Sequence, residues 1–391
     1  MLWYGVRCAT FGLLITYAFS GHLFASGFDR FDQDINLLFD QSKVAFDFNS
    51  SFAFPARKFS TVNGAPETVR LGQNTFLPSI NLKFEPFEDT AGLVDYRQPF
   101  GAEIDYGTTW SQARTVVSRL LRVEEIGLTC SYRVQAAAGY VRLIGGMTYD
   151  FATYHEEALR VLPNAISIRP TVDLDGSAIG WRGGFAYEVP TKGIRASIVY
   201  YSPLALSVNG TFEQLPLGGN AFLGAVPIRA AAQVPQTVET RFQFPFAPAW
   251  QNTVFFKWAN WSVWTRVPII VSVNSGALPA GRELTAYNAF FRDGWTISNT
   301  LSHKWSDDLG LALRLSWDRG VSTGWTEHTD TWQGVLGASY TINKHLELNG
   351  ALGLSLLTAG EIDKRAQGGS YNATFGTGTA VSTRIGFRSR F

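Results

Sequence analysis

The chain has 391 residues, a formal net charge of +1 and 17% charged residues. Its length would suit two or three soluble domains, but soluble proteins carry about a quarter charged residues. Aromatic residues make up 14%, which excludes intrinsic disorder, and the balanced charge gives no reason to expect a nucleic-acid partner.

Mean hydropathy is near zero. Beyond residue 25 no apolar run reaches the ~18 residues of a membrane-spanning helix. A transmembrane β-barrel fits this composition, because its strands alternate apolar and polar residues.

Residues 1–25 have the pattern of a secretory signal peptide. Arg7 precedes a short apolar run at residues 8–17, and Ala25 suits a cleavage site. The alternative is a buried N-terminal helix or a membrane anchor, but the run is short and Gly21 interrupts it. Cleavage leaves Cys130 as the only cysteine, so we expect no intramolecular disulfide.

A period of two residues recurs along the rest of the chain. In the first such segment Val44, Phe46 and Phe48 alternate with smaller or polar residues, which predicts a strand with one apolar face. A soluble β-sandwich also alternates, but the polar face here carries glycine, serine and charges, which favours a barrel. We predict about fourteen strands, at residues 43–56, 76–86, 98–107, 122–134, 139–151, 178–189, 193–202, 236–247, 250–262, 292–303, 308–318, 331–342, 345–357 and 379–391.

The predicted connections alternate between short and long, which is the pattern of bacterial outer-membrane barrels with short periplasmic turns and long external loops. An even strand number places both chain ends on the periplasmic side. One periplasmic connection, residues 87–97, is longer than this pattern expects. A short helix is predicted at residues 111–121, within an external loop.

Residues 26–42 precede the first strand and are too acidic to face lipid. Their apolar residues Ile35, Leu38 and Phe39 favour a segment folded back into the lumen as a hatch, with a disordered periplasmic tail as the alternative. The predicted organisation is therefore a signal peptide at 1–25, a hatch at 26–42 and a transmembrane antiparallel barrel at 43–391, an all-β fold.

The C-terminal residue, Phe391, has the parity of the lipid-facing set. A terminal aromatic residue is common in outer-membrane barrels and predicts recognition of Phe391 by the barrel assembly machinery. Six tryptophans near predicted strand ends are expected to form interfacial aromatic girdles, with a soluble core as the alternative: Trp250, Trp258, Trp261, Trp295, Trp305 and Trp332.

The predicted external loop at residues 203–235 is mostly apolar, with only Glu213 and Arg229 charged. Solvated loops are rarely so apolar, and exposed apolar patches mark interaction sites. The residues expected to capture a hydrophobic molecule are Leu215, Leu217, Phe222 and Leu223. Packing of these loops on each other or on lipopolysaccharide is the alternative.

Five strand arginines are expected to face inward, because an arginine facing the lipid midplane costs about 2–4 kcal/mol. They are Arg142, Arg182, Arg241, Arg314 and Arg384. Pairing with an inward carboxylate such as Asp150, Glu188, Glu239 or Asp318 is one role for them. Binding the carboxylate of a substrate by a bidentate hydrogen bond is the other.

No cofactor or metal is expected, and the candidate polar clusters are weak. His328 and Asp330 in an external loop could activate water, and His155 followed by Glu156 could touch a divalent ion. A solvated loop is the favoured interpretation of the His328 cluster, and one histidine beside carboxylates is a weak signal for a metal site.

Four segments, at residues 26–58, 180–190, 234–264 and 292–325, resemble the FadL-type outer-membrane transporters of long-chain fatty acids and other hydrophobic compounds. Residues 234–264 and 292–325 carry a strand that starts near a proline, a short turn, and strand ends at Trp-Ser and Trp-Asp. The resemblance implies a fourteen-stranded barrel with an N-terminal hatch. The family's Asn-Pro-Ala hatch motif is absent, and its nearest counterpart is residues 34–39 (DINLLF).

The resemblance implies a passive, monomeric channel in the outer membrane of a Gram-negative bacterium, with a hydrophobic small molecule or fatty acid as its substrate. It further implies a kinked third strand that opens sideways, and Pro99 and Gly101 in the matching segment would weaken strand pairing there. The alternatives are a general diffusion porin, an outer-membrane enzyme with a site at the rim, and a soluble β protein.

Overall fold

The structure is a computed structural model that describes residues 27–30, 35–161, 167–216, 223–276 and 278–391. The predicted signal peptide at residues 1–25 lies outside the described residues, as do residues 26 and 31–34 of the predicted hatch. Among the described residues, no helix has the length and apolar character needed to cross a membrane.

Fourteen antiparallel strands form a closed barrel, which confirms the predicted fold class and strand number. Each strand pairs with the next barrel strand along the chain, and the first pairs with the last, with Ala45 opposite Arg390. With all strands numbered in chain order, the barrel strands are β1 (Val44–Pro55), β4 (Thr75–Phe87), β5 (Thr90–Asp105), β6 (Ser118–Ala136), β7 (Gly139–Glu157), β9 (Ser167–Val189), β10 (Ile194–Tyr201), β13 (Thr237–Ala247), β14 (Trp250–Ala259), β17 (Gly294–Lys304), β18 (Leu309–Arg319), β19 (Thr331–Asn343), β20 (Leu346–Leu357) and β23 (Gly378–Arg390).

Shorter elements lie in the connections. The other described strands are β2 (Phe59–Val62), β3 (Ala65–Pro66), β8 (Arg160–Val161), β11 (Leu204–Pro216), β12 (Leu223–Val234), β15 (Arg266–Val271), β16 (Glu283–Asn288), β21 (Gly360–Asp363) and β22 (Asn372–Phe375). The 3-10 helices are Asn36–Phe39, Pro190–Lys192, Trp261–Val263 and Arg365–Gln367. Strands β21, β22, β2 and β3 form a separate four-stranded sheet beyond the barrel's long-loop end, which we call the outer end.

The barrel is apolar outside and polar inside, as the sequence alternation predicts. Along β18, Leu311, Leu313 and Leu315 are exposed, whereas the residues between them, such as Arg314, are buried. A soluble barrel would show the reverse arrangement. An apolar outer surface is the arrangement of a barrel that lipid surrounds.

Exposed aromatic side chains lie at the end of the barrel that carries the short turns, including Phe87, Trp305 and Phe391. Trp305 and Trp332 are exposed, as expected of girdle residues. The prediction is wrong for Trp261, which is 0% exposed. Trp261 lies in a 3-10 helix that folds into the barrel interior, because β14 already ends at Ala259.

The predicted long connection at residues 87–97 is wrong. Strands β4 and β5 are joined by a two-residue turn in which Asp89 has φ 61°, and β5 starts at Thr90 rather than at residue 98. The alternation was hidden because Leu93 is fully buried in the interior while its neighbour Val94 is exposed outside. Two apolar faces give no period of two.

The predicted helix at residues 111–121 is also wrong. Residues 111–115 form turns, and β6 begins at Ser118. Val116 and Val117 are buried in an apolar cluster beneath the four-stranded sheet. Their branched side chains suit extended backbone better than helix.

Two of the predicted loops contain β-hairpins. Strands β11 and β12 form the first outer hairpin, and β15 and β16 form the second. Strand β9 pairs with β10 near the short-turn end and with β11 farther out. The outer hairpins therefore continue the barrel wall outwards, and their alternating apolar residues face its interior.

Candidate functional site

The interior of the barrel's outer half is apolar and centres on Phe28. The Phe28 ring lies 5.1–6.1 Å from five other rings, measured between centroids. These rings, which with Phe28 we call the aromatic cage, belong to Trp261, Trp264, Tyr287, Phe291 and His328. Buried aliphatic residues of the first outer hairpin pack in the same cluster, including Leu206 and Ile228. The cage can therefore hold an apolar group.

The backbone around Phe28 is fixed by hydrogen bonds to β5. The Gly101 amide donates to the Phe28 carbonyl and the Arg30 amide donates to the Pro99 carbonyl, both at 2.8 Å. Gly27 has φ 65°, and a Cβ there would lie 2.7 Å from the Trp261 ring. A residue with a side chain would be both strained and blocked at this position.

An ion pair anchors the same short segment to the barrel wall. The Lys257 ammonium lies 3.1 Å from an Asp29 carboxylate oxygen, and both side chains are buried. The Trp261 indole N–H lies 3.4 Å from the same oxygen. The position of Phe28 thus depends on one charged contact, two backbone hydrogen bonds and the cage.

The strand pairing of the barrel wall is interrupted beside this segment, at a gap that we call the wall opening. Strand β5 pairs with β4 only between Thr90 and Tyr96, and its register with β6 shifts between Arg97 and Phe100. Beyond the shift β5 pairs with β6, while residues 75–79 of β4 pair with β1. The predicted gate residues Pro99 and Gly101 lie at this opening. A cavity of about 130 Å³ lies against it, lined by Arg30, Gly101 and Glu103 among others.

Two larger cavities lie farther out. One of about 410 Å³ is lined by Phe28, Tyr287, Trp325 and Lys364 among others. The other, of about 640 Å³, lies between the outer hairpins, with Phe212 in its lining. Phe28 lines the first of these cavities, so that cavity leads from the outer end to the aromatic cage.

Burial changes the titration of groups beside the 410 Å³ cavity. It lowers the pKa of Lys364 to about 8, because the ammonium loses hydration in this crevice and Arg119 repels it. The Lys364 ammonium also lies 4.6 Å from the centre of the Tyr371 ring. Burial lowers the pKa of His328 as well, despite the adjacent Glu327. The outer cavity is therefore a poorly hydrated environment.

The predicted hatch residues Ile35, Leu38 and Phe39 are buried in a second apolar cluster, nearer the short-turn end. The Phe39 ring lies between two guanidinium groups, 4.9 Å from Arg142 and 4.3 Å from Arg195. Leu93 of β5 and Ile144 of β7 belong to the same cluster. These residues contact the barrel wall rather than the aromatic cage.

Ion pairs dominate the interior around this second cluster. Arg390 lies 2.9 Å from Asp40 and 3.0 Å from Glu347. The Lys83 ammonium donates to the Asp40 carbonyl at 2.9 Å. The residues that follow the Asn36–Phe39 helix are thus bonded to several strands at once.

Arg142 and Arg182, from the predicted head-group set, lie against carboxylates. Arg142 pairs with Glu188 at 2.6 Å, and Arg182 pairs with Asp95 and lies 3.7 Å from Glu125. The other three lie elsewhere on the wall: Arg314 is buried 5.9 Å from the Phe255 ring, Arg241 is 5.1 Å from the same ring, and Arg384 donates to Asn49 at 3.1 Å. The structure does not bring the five together.

The predicted capture residues divide into two pairs. Leu217 and Phe222 lie outside the described residues. Leu215 of β11 pairs with Arg169 of β9, and Leu223 of β12 pairs with Gln214 of β11. The latter two are therefore strand residues at the tip of the first outer hairpin.

The histidine clusters do not form the arrangements considered from the sequence. The His328 ring packs on Phe28 and Phe291, whereas the Asp330 carboxylate accepts from the Gly320 amide. His155 contacts Asp173 at 2.6 Å, and Glu156 pairs with Arg119. Within the described ranges, no three His, Cys, Asp or Glu side chains are grouped to hold a metal.

Sequence reasoning missed the aromatic cage. Phe28 is one of several apolar residues in an acidic segment, and Trp261 was predicted to belong to an interfacial girdle. The parity of Trp261 was uninformative, because this residue lies beyond the end of β14, in the 3-10 helix Trp261–Val263. Tyr287 and Phe291 lie in a segment without periodicity, so only the fold brings them to Phe28.

No protein-family model and no curated protein matches the sequence. Among solved structures, a Pseudomonas aeruginosa FadL homologue superimposes with a TM-score of 0.76 at 14% identity, covering 91% of this chain and 92% of that chain. The chain has the FadL-type fold. The Pseudomonas putida toluene transporter TodX shares this fold with a TM-score of 0.68 at 13% identity, covering 97% and 98% of the two chains.

The Ralstonia pickettii toluene transporter TbuX is similar too, with a TM-score of 0.64 at 14% identity and 90% of both chains covered. The resemblance predicted from the four sequence segments is thus confirmed at the level of the FadL-type fold. At such low identity, the individual site residues must be argued from this chain alone.

Proposed function

We propose that the protein is an outer-membrane channel of a Gram-negative bacterium that passes hydrophobic or amphipathic small molecules. The single observation that carries the proposal is the aromatic cage, in which Phe28 occupies the apolar interior beside an opening in the wall. An apolar ligand can take the place of this ring without leaving a polar group unpaired. The apolar outer surface of the barrel and the toluene transporters of the same fold support the location and the substrate class.

The proposed route has three steps. Leu215, Leu217, Phe222 and Leu223 first capture the ligand. The ligand then reaches the aromatic cage through the 410 Å³ cavity that Phe28 lines. It leaves sideways through the wall opening at Pro99 and Gly101, where β4 and β5 share no hydrogen bonds.

Residues 26–42 act as the hatch in this proposal. Their apolar residues Ile35, Leu38 and Phe39 pack against the wall, and Asp40 is held by Arg390. A hatch closes the lumen to ions and hydrophilic solutes. A hydrophobic ligand need only displace the Phe28 ring, because the Asp29–Lys257 ion pair and the hydrogen bonds to β5 hold the backbone beside it.

Uptake measurements test the function directly. In cells without other transporters of hydrophobic compounds, expression of this protein should raise the initial uptake rate of labelled toluene or laurate several-fold. The same cells should take up a hydrophilic sugar no faster than before. Equal stimulation of both probes would identify a general porin, and stimulation of neither would refute the channel.

Conductance measurements test the hatch. The wild-type barrel in a planar bilayer should show little steady ion current, because the lumen is filled. Deletion of residues 26–40 should leave a folded barrel, since this segment contributes no barrel strand, and should raise the conductance at least tenfold. Heat-dependent gel migration checks that the shortened barrel is folded. Unchanged conductance in the folded deletion variant would show that these residues are not a plug.

A further inference from the structure

The outer cavity of about 410 Å³ combines aromatic rings with a few charged groups in its lining. Phe28 and Tyr287 of the aromatic cage contribute rings to it, and so does Trp325. Among the described residues that line it, Glu327 is the single acidic one. A cavity of this size with apolar walls and few polar groups is typical of a site for a small organic molecule, and the polar groups set its specificity.

The backbone at Glu327 is held in place between two cavities. Arg57 donates to the Glu327 carbonyl at 2.7 Å, and the Ser322 amide donates to the His328 carbonyl at 3.0 Å. Glu327 and His328 line both the outer cavity and the cavity at the wall opening. A ligand on the proposed route from the outer end to the wall opening therefore passes the Glu327 side chain.

The Glu327 carboxylate is half-buried and charged. Burial opposes its ionisation, but the charges of His328, Arg57 and Lys364 outweigh this effect, so the pKa of this carboxyl lies below its usual value. Within the described ranges, its hydrogen bonding is limited to its own backbone amide, and it forms no ion pair. An ionised carboxylate has room for several donors. The outer cavity thus offers a strong acceptor to a ligand.

The tyrosines around this carboxylate do not supply the missing donors. Burial and the Glu327 charge raise the pKa of Tyr106 and Tyr371, which also line the outer cavity. The Tyr371 hydroxyl accepts from the Lys364 ammonium at 3.1 Å, and in the described part of the chain neither tyrosine donates to Glu327. A ligand hydroxyl placed among these groups would complete the hydrogen bonds of the carboxylate.

The charges around the cavity favour a neutral ligand. Glu327 would repel a ligand carboxylate, and the ammonium group of an amine would meet Lys364 and Arg119, which already repel each other. A hydroxyl carries no net charge, and it donates one hydrogen bond while it accepts others. A phenolic hydroxyl is a more acidic donor than an aliphatic one, and its ring suits the aromatic lining.

We propose that the Glu327 carboxylate accepts a hydrogen bond from the hydroxyl of a phenolic ligand in the outer cavity, which makes neutral phenols a substrate class of this channel. This inference rests on the proposed channel function and narrows it. The ring of the ligand faces Phe28 and Tyr287, and its hydroxyl donates to Glu327. A hydrocarbon in the same place leaves this acceptor unused.

Three ligands that share one ring test the inference: p-cresol, toluene and p-methylanisole, whose oxygen cannot donate. Each is titrated calorimetrically into the whole barrel in nanodiscs of zwitterionic lipid. Glu327→Met should lower the affinity for p-cresol relative to that for toluene about ten- to hundredfold, because a charge-assisted hydrogen bond is lost. The affinity for p-methylanisole relative to toluene should change less than about twofold. Glu327→Gln, which keeps a weaker acceptor, should lower the p-cresol ratio by less than Glu327→Met does.

Glu361→Met is the matched control. Glu361 is an exposed residue of the outer sheet that pairs with Thr374, and it is not among the described residues that line the outer cavity. Its replacement should leave both affinity ratios as they are in the wild type. If it lowers the p-cresol ratio as much as Glu327→Met, a general field effect replaces the site. Heat-dependent gel migration confirms that each variant is folded.

The outcomes separate the inference from the proposed function. If the wild-type barrel binds p-cresol and toluene but Glu327→Met leaves their affinity ratio unchanged, the carboxylate holds water only, and the phenol site is refuted while the channel stands. If p-toluate binds the wild type more tightly than p-cresol, the cavity is a site for anions and the inference is likewise refuted. If the wild-type barrel binds neither p-cresol nor toluene, the channel function itself fails.

Discussion

The two halves of the barrel interior have opposite chemistry. Around Phe28, in the outer half, the contacts are aromatic and aliphatic. Around Arg182 and Arg390, nearer the short turns, buried ion pairs surround the second apolar cluster and join strands to one another and to the N-terminal segment. Apolar contacts have no required direction, so a ligand can exchange with a side chain in the outer half. Ion pairs need specific partners, and breaking one leaves a buried charge without a partner.

This difference separates the Phe28 side chain, which apolar contacts alone hold, from residues of the N-terminal segment that ion pairs hold, such as Asp29 and Asp40. Phe28 leaves its cage at the cost of apolar contacts that a hydrophobic ligand restores. Asp40 leaves Arg390 only with the loss of a buried ion pair. A channel built in this way can open for hydrophobic molecules and stay closed to ions.

The largest change in stability is expected when an ion pair nearer the short turns is broken. Arg182→Met leaves Asp95 and Glu125 with one arginine, Arg97, and should lower the free energy of unfolding by about 3–5 kcal/mol. Arg241→Met is the control, because Arg241 contacts a ring rather than a carboxylate, and should cost about 1 kcal/mol or less. Urea unfolding in detergent, followed by gel migration, measures both. Equal losses of unfolding free energy would mean that the ion pairs nearer the short turns stabilise the barrel no more than other contacts of the wall do.

A smaller effect is expected in the apolar half. Phe28→Ala should change the free energy of barrel unfolding by less than about 1 kcal/mol, because Phe28 belongs to no barrel strand. It should raise the affinity for toluene several-fold, because the ligand no longer displaces a ring. Titration followed by tryptophan fluorescence measures the affinity, since Trp261 and Trp264 line the cage.

Phe48→Ala, which changes an outward-facing residue of β1, is the control for this prediction and should bind toluene like the wild type. A lower affinity in Phe28→Ala would show that the Phe28 ring forms part of the binding surface rather than occupying it.

The smallest effect concerns Lys364, at the outer limit of the apolar half. Its pKa falls from 10.5 to about 8 on folding, so the unfolded chain binds more protons between these values. The stability of the outer sheet should therefore rise as the pH increases from about 8 to 10.5. Below pH 8 Lys364 is charged in the folded protein, and the destabilisation by its buried charge is complete. Limited proteolysis of residues 358–378 measures this stability. Lys364→Met should abolish the slope, and an opposite slope in the wild type would contradict the shift.

The barrel was predictable because most strands have one small or polar inward face. In β18, leucines outside alternate with Gly310, Ala312 and Arg314 inside, and the predicted strand at 308–318 matches the observed one closely. Prediction failed where an inward residue is apolar. Leu93 hides the start of β5, and the apolar inward residues of the first outer hairpin made a β-structure look like an apolar loop.

The candidate site was less predictable, because long-range packing assembles it. Five segments that are distant in the sequence contribute the cage and the wall opening, and no local pattern links Phe28 to Trp261 or Arg30 to Gly101. The arginines named from strand parity were sensible candidates. Arg142 and Arg182 pair with carboxylates of the barrel wall, so strand parity alone does not identify a site for a ligand head group.

The four-stranded outer sheet joins the two ends of the chain. Strand β2 pairs with β22, so that Phe59 lies opposite Phe375, directly beyond the seam where β1 meets β23. The seam and the sheet both connect residues more than 300 positions apart. Contacts so distant in sequence form slowly and late. Strand β23 thus closes the cylinder, strand β22 joins the outer sheet across the same seam, and a chain truncated before β22 gains neither contact.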